Sequence, residues 1–171
     1  APKMVEVFRN PNIELLTYSE VQEISGEPGN YQIKVLKKPR YVQEDVCKGC
    51  GDCASVCPVR GIDHSFDYDL KTHSAAHISF PSAVPPVYLI DEDKCLNLNY
   101  EICGLCQKSC SAEAVDFTQK PEEISFSVGA IVIATGWKQD MPEVYENLAG
   151  KSPNVVSSMQ FERLLSANGP T

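Results

Sequence analysis

No apolar run in this 171-residue chain approaches the length of a membrane span, and the N-terminus shows no secretory leader pattern. Positive charge is scarce: 15 Lys and Arg stand against 23 Asp and Glu, giving a net charge of -8 and a pI near 4.9. That balance argues against nucleic acid and anionic membrane as partners. Residues 1–40 contain no cysteine, and nowhere is there an acid–base constellation suited to proton-transfer catalysis. A start methionine is also missing, so Ala1 reads as the beginning of a segment excised from a longer polypeptide. The length allows one sizeable domain or two small ones.

What is present is eight cysteines. The first four lie in Cys47-Lys48-Gly49-Cys50-Gly51-Asp52-Cys53-Ala54-Ser55-Val56-Cys57-Pro58, which reads C-x2-C-x2-C-x3-C-P, the run that holds iron–sulfur clusters in bacterial ferredoxins. Three thiolates must converge on one cube from one tight loop. Gly49 and Gly51 permit the curl, Cys53 and Cys57 open a short helix, and Pro58 steers the chain away. Zinc or disulfides are the plainer readings of clustered cysteines.

A second set argues against both. Cys95-x7-Cys103-x2-Cys106-x3-Cys110 repeats the later spacing after a longer first loop. The flanks repeat as well: Tyr41–Asp45 leads into Cys47 as Leu89–Asp93 leads into Cys95. Gly61-Ile62-Asp63 behind the first set is matched by Ala114-Val115-Asp116 behind the second. An internal duplication that uses all eight cysteines implies two [4Fe-4S] clusters, with thiols kept reduced in the cytoplasm.

Around this centre the chain reads as α+β. Pro2–Asn10 suits a helix with Met4, Val5 and Phe8 on one side, and Ile13–Tyr18 suits a strand. Val21–Ile24 and Tyr31–Val35 form a hairpin around Gly26-Glu27-Pro28-Gly29. Lys37, Lys38 and Arg40 beside Pro39 read as a solvated joint. Residues 41–118 make the cluster domain, whose short halves are too small to bury much of a core, so loss of metal is expected to unfold it. Between Pro58 and Lys94 the chain is longer than two fused halves require. His64, His73 and His77 there read as exposed loop histidines, and the prolines of Phe80–Pro86 as a stiff arm draped over the clusters. Glu123–Val128 alternates as a half-buried strand, and Gly129–Gly136 reads as a fully buried parallel strand. Ser157 and Gln160 make a capping box for a helix bearing Phe161, Leu164 and Leu165, stopped by Gly169-Pro170.

The apolar strand closing in Ala134-Thr135-Gly136 resembles the corresponding strand of two-dinucleotide flavoproteins of the thioredoxin-reductase type. Together with both cysteine sets, Pro11–Val21, Lys37–Val42, Gln119–Ile124 and Phe161–Ser166, it makes the whole chain resemble the A subunit of heterodisulfide reductase, an iron–sulfur flavoprotein. The resemblance implies an oxidoreductase fragment: a two-cluster ferredoxin-like domain, residues 41–118, inserted in an FAD domain whose interrupted edges are residues 1–40 and 119–171. It also implies FAD in the longer parent, near the strand end Ala134, Thr135 and Gly136. Electrons would pass between hydrogenase or formate dehydrogenase, ferredoxin and the subunits that reduce the disulfide of coenzymes M and B. No G-x-G-x-x-G follows a strand, and Gly49-x-Gly51-x-x-Ala54 lies inside a cysteine loop, so this stretch alone is expected not to bind FAD tightly.

The ligand set follows from the resemblance too. In two-cluster ferredoxins the fourth cysteine of each run crosses to the other cluster. Cys47, Cys50, Cys53 and Cys110 then hold one cluster; Cys57, Cys95, Cys103 and Cys106 hold the other. No catalytic residue is implied. Lys48, Lys94, Lys108 and the amides near Gly49, Gly51 and Gly104 are candidates for offsetting cluster charge. Ser111 departs from the pattern, standing where ferredoxins place Pro, and is expected to alter a potential slightly. The rival readings are a free-standing ferredoxin carrier, which would not need the buried strand Ile131–Ala134, and a structural zinc module.

Overall fold

The computed structural model describes residues 2–137, 147–148, 152 and 154–170. The described chain forms two compact units: one runs up to Ile62 and resumes over His73–Ile131, and the other joins Asp63–Thr72 to the described residues after Ile131.

In the first unit, helix α1 (Pro2–Arg9) opens on a proline, whose fixed φ and missing N–H suit a first helical turn. None of its residues is buried. Strands β1 (Ser19–Glu27) and β2 (Asn30–Lys37) pair antiparallel across the two-residue turn Pro28-Gly29, with Glu27 opposite Asn30. Proline presets the first turn position and Gly29, at φ +94°, takes the left-handed second. The expected hairpin is there, longer at both ends. Ile13–Tyr18 is not a strand: among the described residues only Tyr18, just before β1, has a backbone partner across the chain, its O accepting from Lys38 N–H at 3.0 Å, and Arg40 donates to Thr17 Oγ1.

Strand β7 (Glu122–Val128) adds antiparallel to β2, from Tyr31 opposite Val128 to Lys37 opposite Glu122. The segments before and after the cysteine-rich stretch therefore share one three-stranded sheet in the order β1-β2-β7. The expected strand over Gly129–Gly136 is not formed: residues 130–137 have no regular structure, and Val132 and Ile133 are 91% and 78% exposed. A continuous apolar run becomes a buried strand only when neighbours supply its ladder and both its faces, and no described strand does so.

Between the sheet segments lie short elements: α2 (Asp52–Ser55), β3 (Ile62–Asp63), β4 (Thr72–His73), β5 (Ala76–His77), β6 (Leu89–Ile90), α3 (Leu96–Tyr100) and α4 (Leu105–Ser109). β3 and β4 mark the two points where the chain passes between units. The buried core here comprises Tyr41, Val42, Ala75, Ala76, Val87, Ile90, Ala114, Val115 and four cysteines, Cys53, Cys57, Cys95 and Cys106. A core so rich in small side chains and thiols leaves little apolar bulk at its centre.

The duplication is visible in the backbone. Gln43 N–H donates to Ala114 O at 2.8 Å and Asp91 N–H to Ala75 O at 2.8 Å, while Cys47 and Cys95 each donate, at 3.0 Å, to Gln43 O and Asp91 O. Val42 bridges Val115 as Ile90 pairs with Ala76. The counterpart of Ala114-Val115 is thus Ala75-Ala76, not Gly61-Ile62 as the sequence pattern suggests. The intervening residues are an excursion, most of which belongs to the second unit.

In that second unit Asp67, 1% exposed, sits in a 3-10 turn (Ser65–Asp67) and meets helix α5 (Ser158–Leu165). Arg163 Nη2 lies 2.7 Å from Asp67 Oδ1 and its guanidinium stacks over Phe66, while Gln160 Nε2 donates to Tyr68 O at 3.2 Å. The expected capping box is formed: Ser157 Oγ accepts from Gln160 N–H, and Gln160 Oε1 accepts from Ser157 N–H.

Candidate metal centre

The first cysteine loop turns tightly because Gly49 and Gly51 take φ of +67° and +89°. Small size matters as much as freedom. A Cβ on Gly49 would stand 2.7 Å from Pro86 O, and one on Gly51 2.8 Å from Tyr88 Oη. The arm expected from the prolines thus reaches the first loop, with Pro86 and Tyr88 resting directly on it. Gly49 N–H donates to Cys47 Sγ at 3.4 Å, and Ala114 N–H donates to Cys110 Sγ at 3.3 Å. Short α2 lifts Cys53 inward and ends before Cys57.

All eight cysteines are free thiols. They divide between two hollows. One is lined by Cys47, Cys50, Cys53 and Cys110, with Tyr88, Ser111 and Val115 beside them. The other is lined by Cys57, Cys95, Cys103 and Cys106, with Ala75, Ile90 and Phe117. Each hollow takes three cysteines from one run and one from the other. Among the described residues, no three Cys, His, Asp or Glu side chains converge as a single metal ion would require. Four cysteines line each hollow, and both runs keep the C-x2-C-x3-C spacing of ferredoxin cluster loops, which suits an iron–sulfur group.

Burial dominates the electrostatics of both hollows. Burial above all pushes the Cys53 thiol up to about 12, helped by the neighbouring Cys47, Cys106 and Cys50 sulfurs. Burial likewise pushes Cys106 up to about 11, with Cys95 and Cys103 adding to it. Protein alone keeps these thiols protonated; a bound cationic centre would deprotonate them outright. An all-sulfur donor set in a site of this kind fits an iron–sulfur group.

Other expected residues fall elsewhere. Lys48 is exposed but lines the rim of the first hollow, whereas the exposed Lys94 and Lys108 line neither. The three histidines are not exposed loop residues, because the excursion after Arg60 folds rather than hanging free. His64 is 4% exposed; the half-buried His73 and His77 pack ring to ring at 3.9 Å, with Nδ1 of His73 2.8 Å from Ser74 O. Arg40 is also no solvated joint residue. At 8% exposure it donates to Glu44 at 2.7 Å and Thr17 at 2.7 Å and lies over the Tyr18 ring. Ala134 and Thr135 are exposed and Gly136 has φ +77°. Tyr88 and Phe117 lining the hollows escaped the sequence reading, since single aromatics carry no spacing signal.

A family model described as "4Fe-4S binding domain" matches residues 40–63. Over its whole length the chain is similar to part of several larger proteins. It is 49% identical to the A subunit of the ferredoxin:CoB-CoM heterodisulfide reductase of Methanosarcina mazei, covering 100% of this chain and 21% of that protein. It is 44% identical to the iron-sulfur A subunit of the CoB–CoM heterodisulfide reductase of Methanocaldococcus jannaschii, covering 100% and 25%. The same figures hold for the A subunit of the H(2)/formate:CoB-CoM heterodisulfide,ferredoxin reductase of Methanococcus maripaludis. The chain spans about a fifth to a quarter of the length of these curated relatives.

Proposed function

We propose that this chain, homologous along its whole length to a segment of the heterodisulfide reductase A subunit, is a one-electron relay built on two [4Fe-4S] clusters. Cys47, Cys50, Cys53 and Cys110 hold one cluster, and Cys57, Cys95, Cys103 and Cys106 the other. The observation that carries this reading is the partition of eight thiols into two hollows, three plus one in each. When bound, each cluster supplies a site that takes up and gives back one electron.

The chain's own residues do the rest. Cys57 and Cys110, each ligating across the middle, tie the two halves together. N–H groups aimed at Cys47 and Cys110 sulfur offset negative charge and favour the reduced form. Pro86 and Tyr88 keep water from one side of the first hollow, while Ala75, Ile90 and Phe117 give the second an apolar wall. No proton needs to move in such a relay.

In the longer polypeptide, residues 41–118 form a domain inserted into an FAD-binding host, with residues 1–40 and 119–171 as its flanks and Ala134, Thr135 and Gly136 toward the flavin. The shared β1-β2-β7 sheet supports that division, because it brings the two flanks side by side. Electrons would then pass among FAD, ferredoxin, a hydrogenase or formate dehydrogenase and the disulfide-reducing subunits, in the cytoplasm. Among the described residues, no helix is long and apolar enough to cross a membrane.

Anaerobically purified protein titrated with dithionite tests the relay. Reversible bleaching of the visible absorption, with paramagnetic resonance signals of reduced clusters, is expected. Colourless protein carrying zinc and no acid-labile sulfide would overturn it.

A further inference from the structure

The second cysteine run departs from the first in one feature that holding a cluster does not explain. Seven residues, not two, separate Cys95 from Cys103. They form α3 and a left-handed turn at Glu101, φ +58°. The loop is built rather than loose. Asn99 Nδ2 donates to Glu92 O at 2.8 Å and Cys95 O at 2.9 Å, Asn97 Nδ2 donates to Cys103 O, and Glu101 N–H donates to Asn97 O at 2.8 Å. Yet this braced loop holds Tyr100 67% exposed and Ile102 73% exposed, followed by Leu105 at 48%. Three large apolar side chains within six residues are thus presented to solvent around the half-buried Cys103. The corresponding first loop offers only Lys48, Gly49, Gly51 and Asp52 between its cysteines, beneath Pro86 and Tyr88.

We infer that Tyr100, Ile102 and Leu105 form the docking surface through which a one-electron redox protein exchanges electrons with the cluster at Cys103. Exposed apolar groups held rigidly beside a redox centre gain by burial against a partner, and Ile102 is one peptide bond from Cys103. Charge defines the partner. Residues 91–113 carry Asp91, Glu92, Asp93, Glu101 and Glu113 against Lys94 and Lys108, on a chain of net charge -8. The matching face is an apolar patch ringed by cations, which this excess of acidic charge steers into place. This inference rests on the two-cluster reading above.

Cytochrome c, with its haem edge ringed by lysines, is the probe. Dithionite-reduced holoprotein is mixed in stopped flow with cytochrome c or, separately, with a small uncharged quinone. Ile102→Ser combined with Tyr100→Ser is expected to slow cytochrome c reduction about tenfold while leaving the quinone rate unchanged. Val21→Ser, on an apolar residue of β1 that is 59% exposed, is expected to change neither. An unchanged cytochrome c rate in the double variant would overturn the inference, as would an equal fall in both rates. A wild-type dimer that the double variant abolishes would do the same, assigning the patch to a second copy. Iron content measured on the same samples separates the two readings: wild-type protein without iron overturns both, whereas full iron with an unchanged rate overturns only the docking surface.

Discussion

Cys110 belongs to the second cysteine run by sequence, yet it lines the same hollow as Cys53 of the first run. The reciprocal holds for Cys57 and Cys106. This crossing makes ligand loss diagnostic. Cys110→Ser is expected to give the same single-cluster spectrum as Cys47→Ser, and Cys57→Ser the same as Cys95→Ser. Paramagnetic resonance of the four reduced variants checks it; a match between Cys110→Ser and Cys95→Ser would contradict the assignment.

Gly29 and Gly49 separate backbone freedom from close packing. Both take positive φ, where alanine costs about 1–2 kcal/mol. An added Cβ meets nothing within 4 Å at Gly29 but lies 2.7 Å from Pro86 O at Gly49. Gly49→Ala is therefore expected to destabilise the holoprotein clearly more than Gly29→Ala, and to lower occupancy of the first cluster alone. Urea unfolding with iron analysis of both variants distinguishes the effects.

Asp67 supplies a pH dependence in the second unit. Its burial would raise the carboxyl pKa, but the hydrogen bonds from Arg163 and Lys71 and the nearby His64 outweigh that and hold it below the ordinary carboxylate value. A folded pKa below the unfolded value, about 3.9, means stabilisation that is complete above that pH and disappears as pH falls through the folded value. Hydrogen exchange in α5 is expected to accelerate over that acid window. Asp67→Ala, which leaves Arg163 without its buried partner, is expected to cost about 3–5 kcal/mol of local protection at pH 7 and to erase the acid sensitivity.

Ser111 stands beside the first hollow in the place where a ferredoxin carries proline. Ser111→Pro is expected to shift the midpoint potential of the first cluster and leave the second untouched, as read by a redox titration. Two unchanged potentials would show that the hydroxyl has no influence there.

The readable parts of the sequence are those where one local rule decides the outcome. Cysteine spacing shows the two runs because a cluster demands that spacing. Pro28-Gly29 shows the hairpin through its φ preferences, and Ser157 with Gln160 shows the start of α5 by satisfying that helix's free N–H groups. Where an outcome depends on distant partners, the sequence misleads. Gly61-Ile62-Asp63 mimics Ala114-Val115-Asp116, but small buried Ala75 and Ala76, which carry no pattern, occupy the equivalent place. Gly129–Gly136 has the composition of a buried strand without a described neighbour to pair with, and Ile13–Tyr18 fails in the same way. Asp67 and Arg163 lie far apart in the chain, and neither announces the other. Within the candidate site, the grouping into fours followed from the family resemblance and the arm from its prolines, whereas Tyr88 and Phe117 emerged only from packing.

The most direct test of the central claim is iron and acid-labile sulfide measured on anaerobically prepared protein, together with a count of free thiols after the clusters are stripped under reductant-free denaturation. About eight iron and eight sulfide per chain, with no cysteine bridged to another, is the expected result. Far less iron, or cysteines joined pairwise in disulfides, would contradict the account.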